Sequence, residues 1–168
     1  AHAENLWLID KSPFGTLNRH DLSRLREIAK NESWNDDKSL GKPIRLYVSR
    51  AGFSRSMRNE DLLESWLVSK GFQILRAEDL IDLRWQAGLF SQAEIVIGPS
   101  GSGLTNAVFL PEGAEVIEIT SPFFDLPEYT SLFQSIGVKH RRVFLEVSKD
   151  LPFGYGEQAI RELQRHFN

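Results

Sequence analysis

Two features of this 168-residue sequence could hold an anion: a cluster of arginines and a glycine-rich turn. Arg45, Arg50, Arg55 and Arg58 fall within fourteen positions, around the small-residue turn Ala51-Gly52-Phe53-Ser54. A guanidinium is planar, permanently charged and grips phosphate oxygens in pairs, at about 1.5–3 kcal/mol per charged hydrogen bond. The same residues also fit a plain solvated loop, offset by Glu60, Asp61 and Glu64 just beyond it. The second feature is Gly98-Pro99-Ser100-Gly101-Ser102-Gly103-Leu104-Thr105-Asn106. Where such a turn leads from a strand into a helix, it exposes backbone N–H groups at the positive helix end, and its glycines let an anion come close. An ordinary tight connection is the alternative.

Other chemistries lack their parts. The absence of cysteine removes disulfides, iron–sulfur clusters and thiolate nucleophiles. His2, His20, His140 and His166 form no HExxH or HxxxH pair, so no zinc site is expected. Gly98-x-x-Gly101-x-Gly103 departs from the GxGxxG of dinucleotide enzymes, and no Walker lysine follows it. Ser102 stands where a GxSxG elbow needs its last glycine, which disfavours a serine hydrolase built on Ser100 with His140 or His166. No Asp-x-Asp motif occurs, since Asp36 and Asp37 are adjacent in a polar stretch. The expectation is a site with no metal and no cofactor.

The elements that must position these residues follow from periodicity. Strands are expected at Ile44–Ser49, Gln73–Arg76, Glu94–Gly98, Glu115–Ile119 and Arg142–Glu146. Helices are expected at Glu60–Lys70, Leu80–Gln92, Gly103–Leu110, Pro127–Ile136 and Gly156–Phe167. Asn59 is positioned to cap the first of these, Gly71 to stop it, and Leu63, Trp66, Leu67 and Lys70 share one face. Alternating strands and helices predict an α/β, Rossmann-like, doubly wound and mostly parallel five-stranded sheet with helices on both faces. In the order 2-1-3-4-5 the first and third strands are neighbours, and ligands bind where the winding reverses between them. The arginine loop follows strand one and the glycine turn follows strand three, so both face that crevice.

Residues 1–42 differ from the rest. They offer the apolar run Leu6–Ile9, a Pro-Phe-Gly turn, a helix near Asp21–Asn31 and a polar connection to residue 42. They read as a helical and linking segment packed on a domain of residues 43–168. Hydrophobic residues are 41% and charged residues 26%, the balance of a folded soluble domain. A net charge of −3 argues against a nucleic-acid partner, which needs a basic surface. No apolar run exceeds four residues, which predicts neither a membrane span nor a signal core and favours a cytoplasmic setting.

Taken together, these residues resemble the C-terminal half of the family 61 glycosyltransferases. The matching stretches are Arg45-x-Tyr47-x-Ser49-Arg50, Arg58-Asn59-Glu60, Gly71-Phe72 and Phe90-x-x-Ala93-Glu94-x-Val96-Ile97-Gly98. They continue with Gly101-x-Gly103-Leu104-Thr105-Asn106, Phe109-Leu110-Pro111 and Val116-Ile117-Glu118-Ile119. The resemblance implies one half of a two-domain, metal-independent GT-B-type transferase, whose Rossmann-like domain binds a nucleotide sugar, usually a uridine diphosphate sugar. It implies a role at the donor for Ser49, Arg50, Arg55, Arg58, Gly98, Ser100 and the Gly101–Asn106 turn, including Ser102, Gly103, Leu104 and Thr105. It also implies that Glu118 lies near the ribose. A carboxylate facing a helix or solvent is the other reading of Glu118. Where the family usually carries histidine this sequence has Ser100, which can donate a hydrogen bond but cannot serve as a base near neutral pH. The sequence identifies no catalytic base. The expectation is a donor-binding unit, a fragment whose glycan acceptor is held by a missing domain; a non-catalytic nucleotide- or phosphate-binding module is the alternative.

Overall fold

The computed structural model describes residues 19–31, 44–53, 56–76, 79, 82–124, 127–147 and 154–167. The Leu6–Ile9 run, the Pro-Phe-Gly turn and the polar connection after Asn31 lie outside the described residues, as do Ser54 and Arg55.

Short runs of Ile, Val, Leu and Tyr form β1 (Ile44–Val48), β2 (Phe72–Leu75), β3 (Ala93–Pro99), β4 (Glu115–Thr120) and β5 (Lys139–Phe144). They pair in the order β2-β1-β3-β4-β5, every pair parallel. The helices are α1 (Arg19–Asn31), α2 (Glu60–Ser69), α3 (Leu83–Phe90), α4 (Pro127–Ser135), α5 (Gly156–Phe167) and a 3-10 helix at Ser102–Phe109. This is the expected doubly wound α/β sheet. Because a parallel sheet buries both faces, alternate strand residues serve two cores. Leu46, Val48, Val96 and Val116 pack with Phe90, Leu104, Leu110 and Phe133, under α3, the 3-10 helix and α4. Tyr47, Ile95, Ile97, Ile117 and Ile119 pack with Leu63, Leu67, Ala159 and Leu163, under α2 and α5. Each such fully buried Leu or Ile stabilises the fold by about 1.5–3 kcal/mol. Leu22 of α1 rests on the first core, and the Arg26 guanidinium donates to the carbonyls of Leu110 and, at 3.1 Å, Ile136. No helix among the described residues is long and apolar enough to cross a membrane.

Four local expectations are corrected. Asn59 does not cap α2: it is left-handed (φ 54°), makes no capping bond, and its side chain donates to Glu157 Oε1 at 3.0 Å. Its neighbour explains this, since the Arg58 N–H donates to the Gly154 carbonyl at 3.0 Å and its carbonyl accepts from Gly156 at 2.9 Å. That bridge turns the chain sharply, and asparagine tolerates the left-handed state. α3 starts at Leu83 rather than Leu80, because the extended Asp82 caps it through the amides of Arg84 (2.7 Å) and Trp85 (3.1 Å).

The helix after β3 is 3-10 rather than α. Its Thr105 hydroxyl and Asn106 amide donate to carbonyls three residues back, at 2.5 Å and 3.4 Å, as side chains that compete with the α ladder do. A 3-10 run of this length is uncommon and often marks a functional or strained segment. Finally, β5 begins at Lys139 rather than Arg142. His140 and Arg142 point inward toward a buried carboxylate, Glu118, so polar residues occupy strand positions that hydropathy would assign to a loop.

Candidate functional site

A crevice of about 300 Å³ opens at the carboxyl ends of β1 and β3. It lies at the reversal of winding, and its volume is at the lower end of ligand pockets, about 300–1,000 Å³. Val48, Ser49, Arg50 and Phe53 line it from the β1 side, and Pro99, Ser102, Gly103, Thr105 and Asn106 from the β3 side. Gln86 of α3 completes it. Arg50 is the one charged side chain among the described residues of this lining.

The turn after β1 is held by two carboxylates from α2, whose outward faces would otherwise be solvated. Glu60 and Glu64 are 4% and 7% exposed, which only a full set of partners can sustain. Glu60 Oε1 accepts from Tyr47 Oη at 2.8 Å and the Arg50 amide at 2.9 Å, with Ser49 Oγ 3.2 Å away. Glu64 Oε1 accepts from Ser49 Oγ at 2.6 Å, and its Oε2 from Arg76 Nη2 at 2.5 Å. Burial first, and the neighbouring Glu60 and Glu64 second, push the Tyr47 phenol well above its ordinary pKa. Phenol and carboxylates thus form one hydrogen-bonded set beneath Arg50. Ser49, expected at the donor, turns its hydroxyl to this set.

The turn after β3 meets Arg50 through its backbone. Arg50 Nη1 donates to the Ser100 carbonyl at 3.4 Å, and its guanidinium lies 6.0 Å from the Phe53 ring centre. A Cβ on Gly101 would overlap Arg50 Nη1, so this glycine leaves the guanidinium its present position, its own backbone being extended. At Gly103 a Cβ would stand 2.7 Å from Val48 Cγ1; its absence lets the 3-10 helix close onto β1. Ser100 is 4% exposed and its hydroxyl donates to Glu118, which is completely buried. The second oxygen of Glu118 lies 3.0 Å from His140 Nε2 and 3.5 Å from Arg142 Nε.

The structure therefore gathers Ser49, Arg50, Ser102, Gly103, Thr105 and Asn106 around one crevice, with Gly98, Ser100, Gly101, Leu104 and Glu118 behind it. Gly98 and the fully buried Leu104 are packing partners. Arg58 is drawn away, its guanidinium 5.8 Å from the Tyr155 ring, and Arg45 pairs with Glu94 at 2.7 Å on the surface. Arg55 lies outside the described residues. Phe53 and Gln86 were missed. The order β2-β1-β3 could have found Gln86, because it sets the β2–α3 connection at the same sheet edge as the crevice. Among the described residues no group of three or more His, Asp or Glu side chains is arranged to hold a metal ion.

The model of the family described as Glycosyltransferase 61 matches residues 1–117. The beta-1,2-xylosyltransferase XAX1 of Oryza sativa subsp. japonica is 35% identical over 78 residues, which is 46% of this chain and 14% of the rice protein. The matched stretch contains only a small part of that relative's length.

Proposed function

This chain belongs to glycosyltransferase family 61, and from that premise we propose that its crevice takes the donor, a nucleoside diphosphate sugar. The nucleotide is uridine diphosphate, and the sugar goes to a glycan acceptor. The observation that carries this reading is Arg50, the charged side chain of the lining, held against the β3 turn over Gly101. Departure of the nucleotide from the anomeric carbon builds negative charge on its diphosphate. A cation already fixed there stabilises the transition state more than the ground state. The N–H groups opening the 3-10 helix add to the same field. In this reading arginine and backbone do the work that other transferases give to a divalent metal.

Residues 43–168 act as the donor-binding unit, and the acceptor with its general base comes from outside it. Supporting this, the described lining holds no carboxylate and no histidine. The same observation favours a second reading, a nucleotide-binding module without catalysis. Titration calorimetry in the presence of a chelator tests the first reading against uridine diphosphate, its sugars and NAD. Uridine nucleotides should bind, and Arg50→Ala should weaken them by about 2–3 kcal/mol; unchanged affinity with an intact fold removes Arg50 from the site. With a radiolabelled donor and glycan acceptors, this chain alone should transfer no sugar. Slow release of free sugar from bound donor supports the transferase reading, and a donor left intact supports the module. Robust transfer would show that no second domain is needed.

A further inference from the structure

We infer that Glu118 is a positioning residue for Arg50, acting through Ser100, with His140 and Arg142 as its buried partners. The inference rests on the donor reading only for what Arg50 is positioned to bind. Glu118 has no exposed surface and does not line the crevice, so it cannot touch a ligand there. Yet a buried carboxylate beneath an anion crevice is costly and repels the anion unless its charge is matched. Arg142 at 3.5 Å supplies the opposite charge, and His140 at 3.0 Å a hydrogen-bond partner. The His140 ring is itself fixed edge-on to Phe133, with centroids 4.6 Å apart.

What this arrangement holds is Ser100. Its N–H donates to the Ile119 carbonyl at 2.8 Å, its hydroxyl donates to Glu118, and its carbonyl receives Arg50 Nη1 at 3.4 Å. On either side, Pro99 ends β3 without an N–H to donate, and Gly101 is tied through its carbonyl to the Leu104 N–H at 2.9 Å. The two bonds to β4 fix the backbone and side chain of Ser100, and with them the position from which its carbonyl meets Arg50. Because the Ser100 hydroxyl hydrogen points to Glu118, the residue serves the crevice through its carbonyl. A continuous path runs from His140 on β5 through Glu118 and Ser100 to Arg50.

The test reads Arg50 directly, without ligand. In the nitrogen-labelled protein the Arg50 Nε–Hε resonance is identified by its loss in Arg50→Lys, then followed in Ser100→Ala, Glu118→Ala and Glu118→Gln. Ser100→Ala and Glu118→Ala should shift or broaden it, while Glu118→Gln, which keeps an acceptor for Ser100, should leave it near its original place. Should Glu118→Ala fail to fold, Ser100→Ala reads the same link with the carboxylate in place. Uridine diphosphate affinity should fall about ten-fold in Ser100→Ala and recover to within about two-fold in Glu118→Gln. If the Arg50 resonance is unmoved in Ser100→Ala, the inference is overturned, even where affinity falls, since Ser100 would then be contacting the ligand itself. If the resonance moves but no protein binds uridine diphosphate, the positioning role stands and the donor reading falls.

Discussion

The turn after β1 and the turn after β3 flank one crevice, but they are anchored in different ways. Behind the first, Glu60 reaches back ten residues to the Arg50 amide and Glu64 fifteen to Ser49, both from the helix that follows directly. Behind the second, Glu118 lies eighteen residues from Ser100, and His140 is a further twenty-two away on the edge strand. The first anchor grips main chain and side chains together; the second grips one hydroxyl, leaving the Ser100 amide bonded to Ile119 in any case. Closing a longer loop costs more entropy, though only slowly with length. The stronger difference is assembly: the first network needs α2 docked on β1, whereas the second needs β3, β4 and β5 all in register. The contrast separates a turn whose shape is built in locally from one whose fine aim depends on the far side of the sheet.

The largest expected effect follows from removing the local anchor. Glu60→Ala deprives Tyr47 and the Arg50 amide of one shared buried acceptor and should destabilise the fold by about 3–4 kcal/mol in urea unfolding. Hydrogen exchange at the Arg50 amide should accelerate in parallel. Unchanged protection of that amide would break the comparison, because the turn would then hold its shape without the carboxylate.

A smaller effect probes the second turn, where close packing of Gly103 on Val48 adds to the hydrogen bonds of Ser100. Gly103→Val should cost about 1–3 kcal/mol by overpacking against Val48. Adding Val48→Ala should restore part of the loss, and strictly additive losses would show that the two residues do not meet.

The smallest effect concerns the phenol in the first network. Tyr47→Phe removes one hydrogen bond to Glu60 and should cost about 1 kcal/mol at neutral pH. The folded pKa of Tyr47 is raised, so its neutral form contributes stability below the ordinary value of about 10, and that stability is lost as pH rises past it. Wild type should therefore lose stability above about pH 10 more steeply than Tyr47→Phe. Equal slopes in unfolding experiments across that range would place the phenol outside the carboxylate set.

Much of this architecture was legible from residue order. The five strands, their order and the meeting of the Arg50 loop with the Gly101–Asn106 turn follow from alternating periodicity and the rules of parallel sheets. Two of the misread elements share one cause, a polar residue bonded to something distant in sequence, whereas the start of α3 and the 3-10 helix follow from bonds two or three residues away. Asn59 faces Glu157 rather than its own helix, and the register of β5 follows from His140 and Arg142 turning toward Glu118. Neither partner can be found by local pattern.

Glu118 marks the boundary between the two kinds of information. Its place at the end of a buried strand could be read from Val116-Ile117-Glu118-Ile119, and so could the alternatives of a ligand contact or a helix-facing carboxylate. Which face of the sheet received it, and which hydroxyl, imidazole and guanidinium met it there, were decided by the pairing of β3, β4 and β5. In the same way the sequence supplied four arginines to one short stretch, and only packing sorted the three that the structure describes. Arg45 went to Glu94 and Arg58 to Tyr155, while Arg50 lines the crevice with its guanidinium over Gly101. Periodicity is a property of neighbours along the chain, so the chain can declare it unaided. The partners of a buried charge are neighbours in space, and they exist only once the sheet has closed around them.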